Sequence, residues 1–347
     1  MGKTKRWSVL TIILGVLLSS LGYYAYQILY TPNVLVRETD EDMYFYIPEG
    51  SDYQWVQKEL YDRGIVNNMV SFSFLAKVMK YQENVKEGRY LLKKEMTNRE
   101  AIKILRGGMQ APVDITFNNV RLLEELPGKI TQNIALDSSD YARYLLDQAV
   151  AEKYGFEEET FISMFLPNTY EVYWTVSAED LTEKMHREYE RFWNADGRKE
   201  KAEALGLTQV QVSTLASIVQ AESQKYDEQP VIAGVYLNRL KRGIALQADP
   251  TLVFAVGDFS IKRVLNVHKE IDSPYNTYKY PGLPPGPINM PDIRAIDAVL
   301  NYKQHKYIYF CAKEDFSGYH NFAATLSEHE RNRRKYQQAL NEAGIYK

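Results

Sequence analysis

The segment Leu215 to Ser223 reads LASIVQAES, and Leu215, Ile218 and Val219 recur at the spacing of one helix face. Glu222 occupies the next position on that face, where a core residue is expected. A carboxyl group drawn out of water holds its proton more tightly, because desolvation disfavours the charged form. An acid still protonated near neutral pH can donate a proton to a leaving group, which is general acid catalysis. The same position also fits a helix end where Glu222 turns to solvent or pairs with Arg239.

Other polar residues downstream could share in such chemistry. LQADPT places Gln247 and Asp249 on one side of an extended strip before Pro250 and Thr251 open a helix, and Asp249 equally fits a helix cap. SPYNTYKYPGLPPGPI, from Ser273 to Ile288, holds five prolines and cannot be a regular element. It is expected to form a shaped wall presenting Tyr275, Asn276, Thr277 and Tyr278. GYHNF contributes His320, which also fits a plain turn. His186, His268, His305 and His329 show no metal-ligand spacing and read as solvated surface. The sequence contains no phosphate loop, nucleophile elbow or metal motif, so no metal and no cofactor is called for.

The elements that must position these residues are legible in outline. Thr208 and Gln211 form a capping box at the start of the Glu222 helix, which is expected to run through Ser223. EQPVIAGVYLNRLKRGIAL reads as a second helix, with Pro230 in its first turn and Gly243 just past its end. It puts Asn238 on one stripe and Tyr236 and Arg239 on another. A hairpin is expected between Lys306 to Lys313 and Tyr319 to Ala323, followed by a terminal helix capped by Ser327 and Glu330. A β-rich portion is expected around YKYPGLPPG as well as KYIYFCAK.

Farther upstream, Trp7 to Tyr30 contains no charged residue and is long enough to cross a bilayer, with Lys3, Lys5 and Arg6 holding the near side in the cytoplasm. A cleaved signal peptide is the alternative; both readings put the rest of the chain outside the cytoplasmic membrane. Residues 43 to 107 alternate short strands with three helices, the third starting at the capping box of Thr97 and Glu100 and ending at Gly107. With 347 residues the chain has room for two or three domains. Its net charge of -3 argues against nucleic acid as a partner, and its single cysteine, Cys311, excludes an internal disulfide.

LASIVQAES, VYLNRLKRGIALQADPTLVFAVG, SPYNTYKYPGLPPGPI and YHNFAATLSEHE occur in that order and resemble the endolytic murein transglycosylase, or YceG-like, family. IPEGS, KEGRYLL and FLPNTYEVY extend the resemblance over essentially the whole chain after residue 42. It implies an α+β architecture: a cytoplasmic tail at 1–6, a transmembrane anchor at 7–30, a linker at 31–42, a small LysM-like module at 43–108 and a catalytic domain at 109–347. That domain divides into a helical, aromatic lead-in at 109–205 and a core at 206–347. The resemblance further implies cleavage of peptidoglycan strands on the outer side of a bacterial cytoplasmic membrane, and association with peptidoglycan synthases.

The family's catalytic glutamate falls on Glu222. Many relatives carry a second glutamate where this chain has Gln220, and the family's threonine after the catalytic residue is here Ser223. Gln247, Asp249, Tyr275, Asn276, Thr277, Tyr278 and His320, with Asn238 more weakly, are expected to orient substrate or support Glu222. Two rival functions stay open: a water-using muramidase with Asp249 as the second carboxylate, and a non-catalytic wall-binding adaptor.

Overall fold

The computed structural model describes residues 3–118, 120–261 and 263–345, so part of the expected 1–6 tail lies outside the described residues. The chain forms two compact units: Met1–Asp114 with Asn133–Leu136 and Glu171–Ser177, and Ile115–Gln132 with Asp137–Tyr170 and Ala178–Lys347.

In the first unit, helix α1 (Lys3–Tyr30) carries the apolar run Trp7–Tyr30, long and apolar enough to cross a membrane. Strand β1 (Pro32–Val34) follows at once, then β2 (Met43–Ile47), α2 (Tyr53–Asp62), α3 (Met69–Val78), β3 (Gly88–Leu92), β4 (Met96–Thr97), α4 (Asn98–Gly107) and the first two residues of β5 (Val113–Phe117). Strands β2 and β3 pair antiparallel from Met43 against Leu92 to Ile47 against Gly88. Alternation buries Phe45, Ile47, Tyr90 and Leu92 and leaves Tyr44 and Tyr46 exposed. The segment expected as a linker, 31–42, contributes strand β1, paired with β4, and the buried side chains of Val34 and Leu35. The last turn of α1 is also part of this core: Ile28 is 4% exposed. The Thr97–Glu100 capping box forms as expected, but α4 includes Gly107 and ends on Gly108, whose φ of +66° suits a residue without Cβ.

Asn98, the first residue of α4, is 1% exposed. Its Oδ1 accepts from Asn33 Nδ2 at 2.6 Å, and its Nδ2 donates to Ser71 Oγ and to the Ile28 carbonyl, each at 3.2 Å. Asn33 in turn exchanges hydrogen bonds with the backbone of Asn68. This uncharged knot ties the end of α1 to β1, α3 and α4, and each of its amide groups is satisfied.

The second unit is mainly helical. It contains the rest of β5, α5 (Leu126–Ile130), α6 (Ser138–Leu145), α7 (Gln148–Lys153), the first three residues of strand β6 (Asn168–Val172), α8 (Ala178–Asn194), α9 (Arg198–Leu205), α10 (Gln209–Glu222), α11 (Gln229–Lys241), α12 (Asp249–Val256), α13 (Ile293–Leu300), β7 (Tyr309–Ala312), β8 (His320–Ala323) and α14 (Leu326–Glu342). Every residue from Val212 to Val219 is buried, so α10 is a central helix rather than a one-sided one, with α9, α11, α12 and α13 packed around it. The β7–β8 hairpin forms in the register Tyr309 against Ala323 to Ala312 against His320. By contrast, the proline-rich stretch from Ser273 to Ile288 holds turns and no strand, because its prolines remove ladder donors. Helix α14 begins two residues earlier than expected, at a cap made by Thr325 Oγ1 accepting from Glu328 N–H. Gly286 is indispensable by shape: a Cβ there would sit 2.1 Å from the Glu159 carbonyl oxygen.

Candidate active site

Glu222 is the last residue of α10, and Ser223 leaves the helix in an extended conformation. The helix therefore stops one residue short of expectation and delivers the carboxyl to its open end. Tyr236, buried on α11, donates a hydrogen bond to Glu222 Oε1 at 2.5 Å. The carboxyl is half-buried by exposure and lines a cleft of 1290 Å³ together with Gln220, Asp249, Phe254 and Asn289. Burial pushes its pKa up to about 7, the Tyr236 hydroxyl opposes that rise, the negative charge of Asp249 adds to it, and Arg239 opposes it. The result is a carboxylic acid poised to hold or release a proton near neutral pH.

Asp249 opens α12, exposed at the cleft, and its Oδ1 accepts from the Tyr278 hydroxyl at 2.5 Å. It does not cap the helix, since Ala248 is the cap residue. The expected extended strip through Gln247 is not present: Gln247 has φ +54°, pinned by its N–H to the Thr277 carbonyl at 3.0 Å and by Arg239 Nη1 to its Oε1 at 3.2 Å. Arg239, itself 7% exposed, also donates to the carbonyls of Ala245, Leu246 and Ile308. It does not pair with Glu222; it clamps the α11–α12 loop to the segment entering β7.

The proline-rich loop divides its expected residues between two faces. Asn276 and Thr277 are completely buried. Asn276 Nδ2 donates to the carbonyls of Lys269 and Ile271, and its Oδ1 accepts from Tyr278 N–H. Thr277 Oγ1 accepts from Ala248 N–H at 3.0 Å and lies 2.8 Å from Thr251 Oγ1. Both shape the loop and do not face the cleft. Tyr278 reaches Asp249, while Tyr275 packs its ring on Phe254 at 4.6 Å between centroids. Asn238 Nδ2 donates to the carbonyls of His305 and Tyr307 and so holds the strand approach.

His320 and Ser223 meet on a residue the sequence reading passed over. Glu228 is 5% exposed; its Oε1 accepts from His320 N–H, its Oε2 lies 2.7 Å from His320 Nδ1, and Ser223 Oγ donates to it at 3.2 Å. In sequence Glu228 sits in the polar run QKYDEQP, and only a partner 92 residues away buries it. Tyr236 was legible only as one member of an apolar stripe. Gln220, two residues before Glu222, accepts from Asp292 N–H at 2.6 Å and so fixes the entry to α13. The four histidines expected at the solvated surface are partly buried and engaged instead: His305 Nε2 lies 2.9 Å from the Val231 carbonyl, His268 Nδ1 accepts from Leu265 N–H, the His329 ring stacks on Tyr309, and the His186 ring lies 5.1 Å from that of Tyr154. Among the described residues, no group of three or more His, Cys, Asp or Glu could hold a metal ion.

A model of the YceG-like family matches residues 45–335. The chain is 28% identical to a protein of Streptococcus pneumoniae serotype 2 (strain D39 / NCTC 7466) named endolytic murein transglycosylase, over 94% of this chain and 64% of that protein. It thus spans less than two thirds of the length of that relative. A protein of Bacillus subtilis (strain 168) with the same name is 28% identical over 85% of each chain. A crystal structure of a yceG-like protein from Listeria monocytogenes aligns with a TM-score of 0.54 and 27% identity, covering 84% of this chain and 98% of that one.

Proposed function

The chain belongs to the YceG-like family, and from that premise we propose that it is a peptidoglycan lytic transglycosylase, with Glu222 as its catalytic residue. The observation that carries this reading is the half-buried Glu222 carboxyl at a cleft, held by Tyr236, with its pKa raised to about 7. In the protonated state it gives its proton to the glycosidic oxygen between N-acetylmuramic acid and N-acetylglucosamine as that oxygen leaves C1. The resulting carboxylate takes the proton of the muramic acid C6 hydroxyl as O6 bonds to C1. The product is a 1,6-anhydro end, no water is consumed, and Glu222 returns to its starting form.

One carboxyl serves both steps because the second nucleophile belongs to the substrate, whereas hydrolysis generally recruits a second carboxylate. Asp249, which accepts from the Tyr278 hydroxyl, adds a negative charge that raises the proton affinity of Glu222. Tyr236 positions the carboxyl, while Glu228, His320 and Ser223 fix the turn that follows it. Tyr275, Tyr278 and Gln247 would contact or border the glycan, and Asn238, Asn276 and Thr277 support the loops behind them. The apolar run Trp7–Tyr30 anchors the protein in the cytoplasmic membrane, with residues 31–347 on the outer side, a LysM-like module at 43–108 and a catalytic domain at 109–347. Cleavage of nascent strands there fits partnership with peptidoglycan synthases.

The test is mass spectrometry of ends released from purified glycan strands by the full chain in detergent, beside Glu222→Gln. Anhydro ends that vanish in the variant are expected. Reducing ends would replace this reading with a muramidase, and binding without cleavage would replace it with an adaptor.

A further inference from the structure

Helix α3, MVSFSFLAKV, is apolar on two opposite sides. Phe72, Leu75 and Ala76 are buried in the core of the first unit. On the outer side Val70, Phe74 and Val78 are 74%, 58% and 62% exposed. They follow one another at i, i+4 and i+8, so they form a single stripe along the helix. A helix apolar all round is normally covered all round, and the amino acids chosen for this outer face are those of a buried surface.

Its neighbours indicate the occupant. α3 packs against α1, and so does α4. The contact is made at the end of α1 that enters the core, where Ile28 is buried and its carbonyl is bound by Asn98, which also binds Ser71 of α3. No free tether separates the apolar run from this unit, because β1 begins at Pro32 and is already paired. About 20 helical residues cross the hydrocarbon core of a bilayer, so the final turns of the 24-residue run lie at its outer boundary. The exposed stripe is therefore attached, through a fixed contact, to a helix end at that boundary. Cations flank it: Lys77 and Lys80 are exposed, and Arg106 Nη1 donates to the Met79 carbonyl just past the end of α3. An apolar stripe bordered by basic groups matches the acyl and phosphate layers of a lipid surface.

We propose that Val70, Phe74 and Val78 of α3 form a second membrane contact, lying in the outer interface of the bilayer that α1 crosses and bordered by Lys77, Lys80 and Arg106 at lipid phosphates. The proposal rests on the membrane-anchor reading of Trp7–Tyr30. α3 then fixes the attitude of the first unit to the membrane, which a single helix free to rotate and tilt would leave open.

The full chain carrying Cys311→Ser is reconstituted in phosphatidylethanolamine and phosphatidylglycerol vesicles, with an environment-sensitive label introduced by Phe74→Cys, and separately by Leu18→Cys and Tyr61→Cys. Tyr61, 68% exposed on α2, is the aqueous reference, and Leu18 reports on α1. Phe74 lies on the surface, so its label leaves the core intact. The expected result is several-fold stronger quenching at position 74 than at 61 by lipids bearing a nitroxide near the headgroup, with protection from aqueous iodide. Equal quenching at 74 and 61 while position 18 is quenched by deep nitroxides would overturn the proposal and leave the anchor standing. Protection from iodide without lipid quenching would overturn it in favour of a protein cover, such as a second copy. No quenching at position 18 would instead overturn the anchor reading, and this proposal with it.

Discussion

In the first unit, Asn33, Asn98, Ser71 and the Asn68 backbone meet inside an apolar core; in the second, Glu222, Tyr236, Asp249 and Tyr278 meet at the end of α10. Both clusters draw polar groups out of water, although Asp249 of the second stays exposed at the cleft. The first is uncharged and saturated, each amide having found its donors and acceptors, and such a group has nothing left to offer a ligand. The second contains an acid that burial disfavours in its charged form, and only one of its oxygens is held by Tyr236. A saturated knot contributes order, whereas an unsaturated one at a cleft stores a tendency to exchange protons. The two should respond to substitution in opposite ways.

The largest contrast is in turnover. Glu222→Gln is expected to lower the release of anhydro ends by on the order of 10²–10⁴-fold, the usual contribution of a general acid or more. Asn98→Leu should leave turnover per folded molecule unchanged. If both variants lost turnover alike, the division of labour would be wrong.

The second contrast is in stability, and here the knot is the sensitive site. Asn98→Leu leaves Asn33, Ser71 and the Ile28 carbonyl short of partners, at a cost of about 2–4 kcal/mol. The readout is faster hydrogen exchange of the β2–β3 amides, at every pH. Glu222→Gln should instead stabilise the second unit, and only at higher pH. A carboxyl whose folded pKa lies near 7 binds more protons folded than unfolded, so the wild type loses stability as pH rises from about 4.5 to about 7. The variant escapes that loss, gaining about 1–3 kcal/mol at pH 8 and nothing at pH 4. A melting difference that did not change with pH would contradict the burial of Glu222.

The smallest effect is expected at Tyr236. Tyr236→Phe removes the hydrogen bond that opposes the rise of the Glu222 pKa. The alkaline limb of the pH–rate profile should move upward while maximal turnover falls by only a few-fold. A limb that stayed in place would mean that the hydroxyl orients Glu222 without tuning it.

The sequence carried these two clusters unequally. Glu222 was legible because a charge interrupts the Leu215, Ile218, Val219 face. Its partner Tyr236 was not, since nothing local says which of several tyrosines crosses the end of α10. Glu228 stands in a polar run that gives no local sign of burial, and β8 folds against it. Asn276 and Thr277 were expected as part of a presenting wall, but the prolines that exclude regular structure leave backbone groups to be satisfied, and these two side chains do so from within. Helix caps at Thr97 and Thr208 were readable since their partners lie three residues away. The strand made by Pro32–Val34 was not, because its partner β4 is far along the chain and helix α1 precedes it directly.

Arg239 adds a consequence of a different kind. One planar guanidinium holds the Ala245–Gln247 segment and the Ile308 carbonyl, so two stretches of chain converge on a single side chain of α11. Lysine would supply the charge but not the fork, and its flexible stem would satisfy fewer of these acceptors. Growth and inactivation curves should therefore reveal Arg239→Lys as a thermosensitive allele, active in the cold and lost on warming, although the position lies outside the chemistry itself.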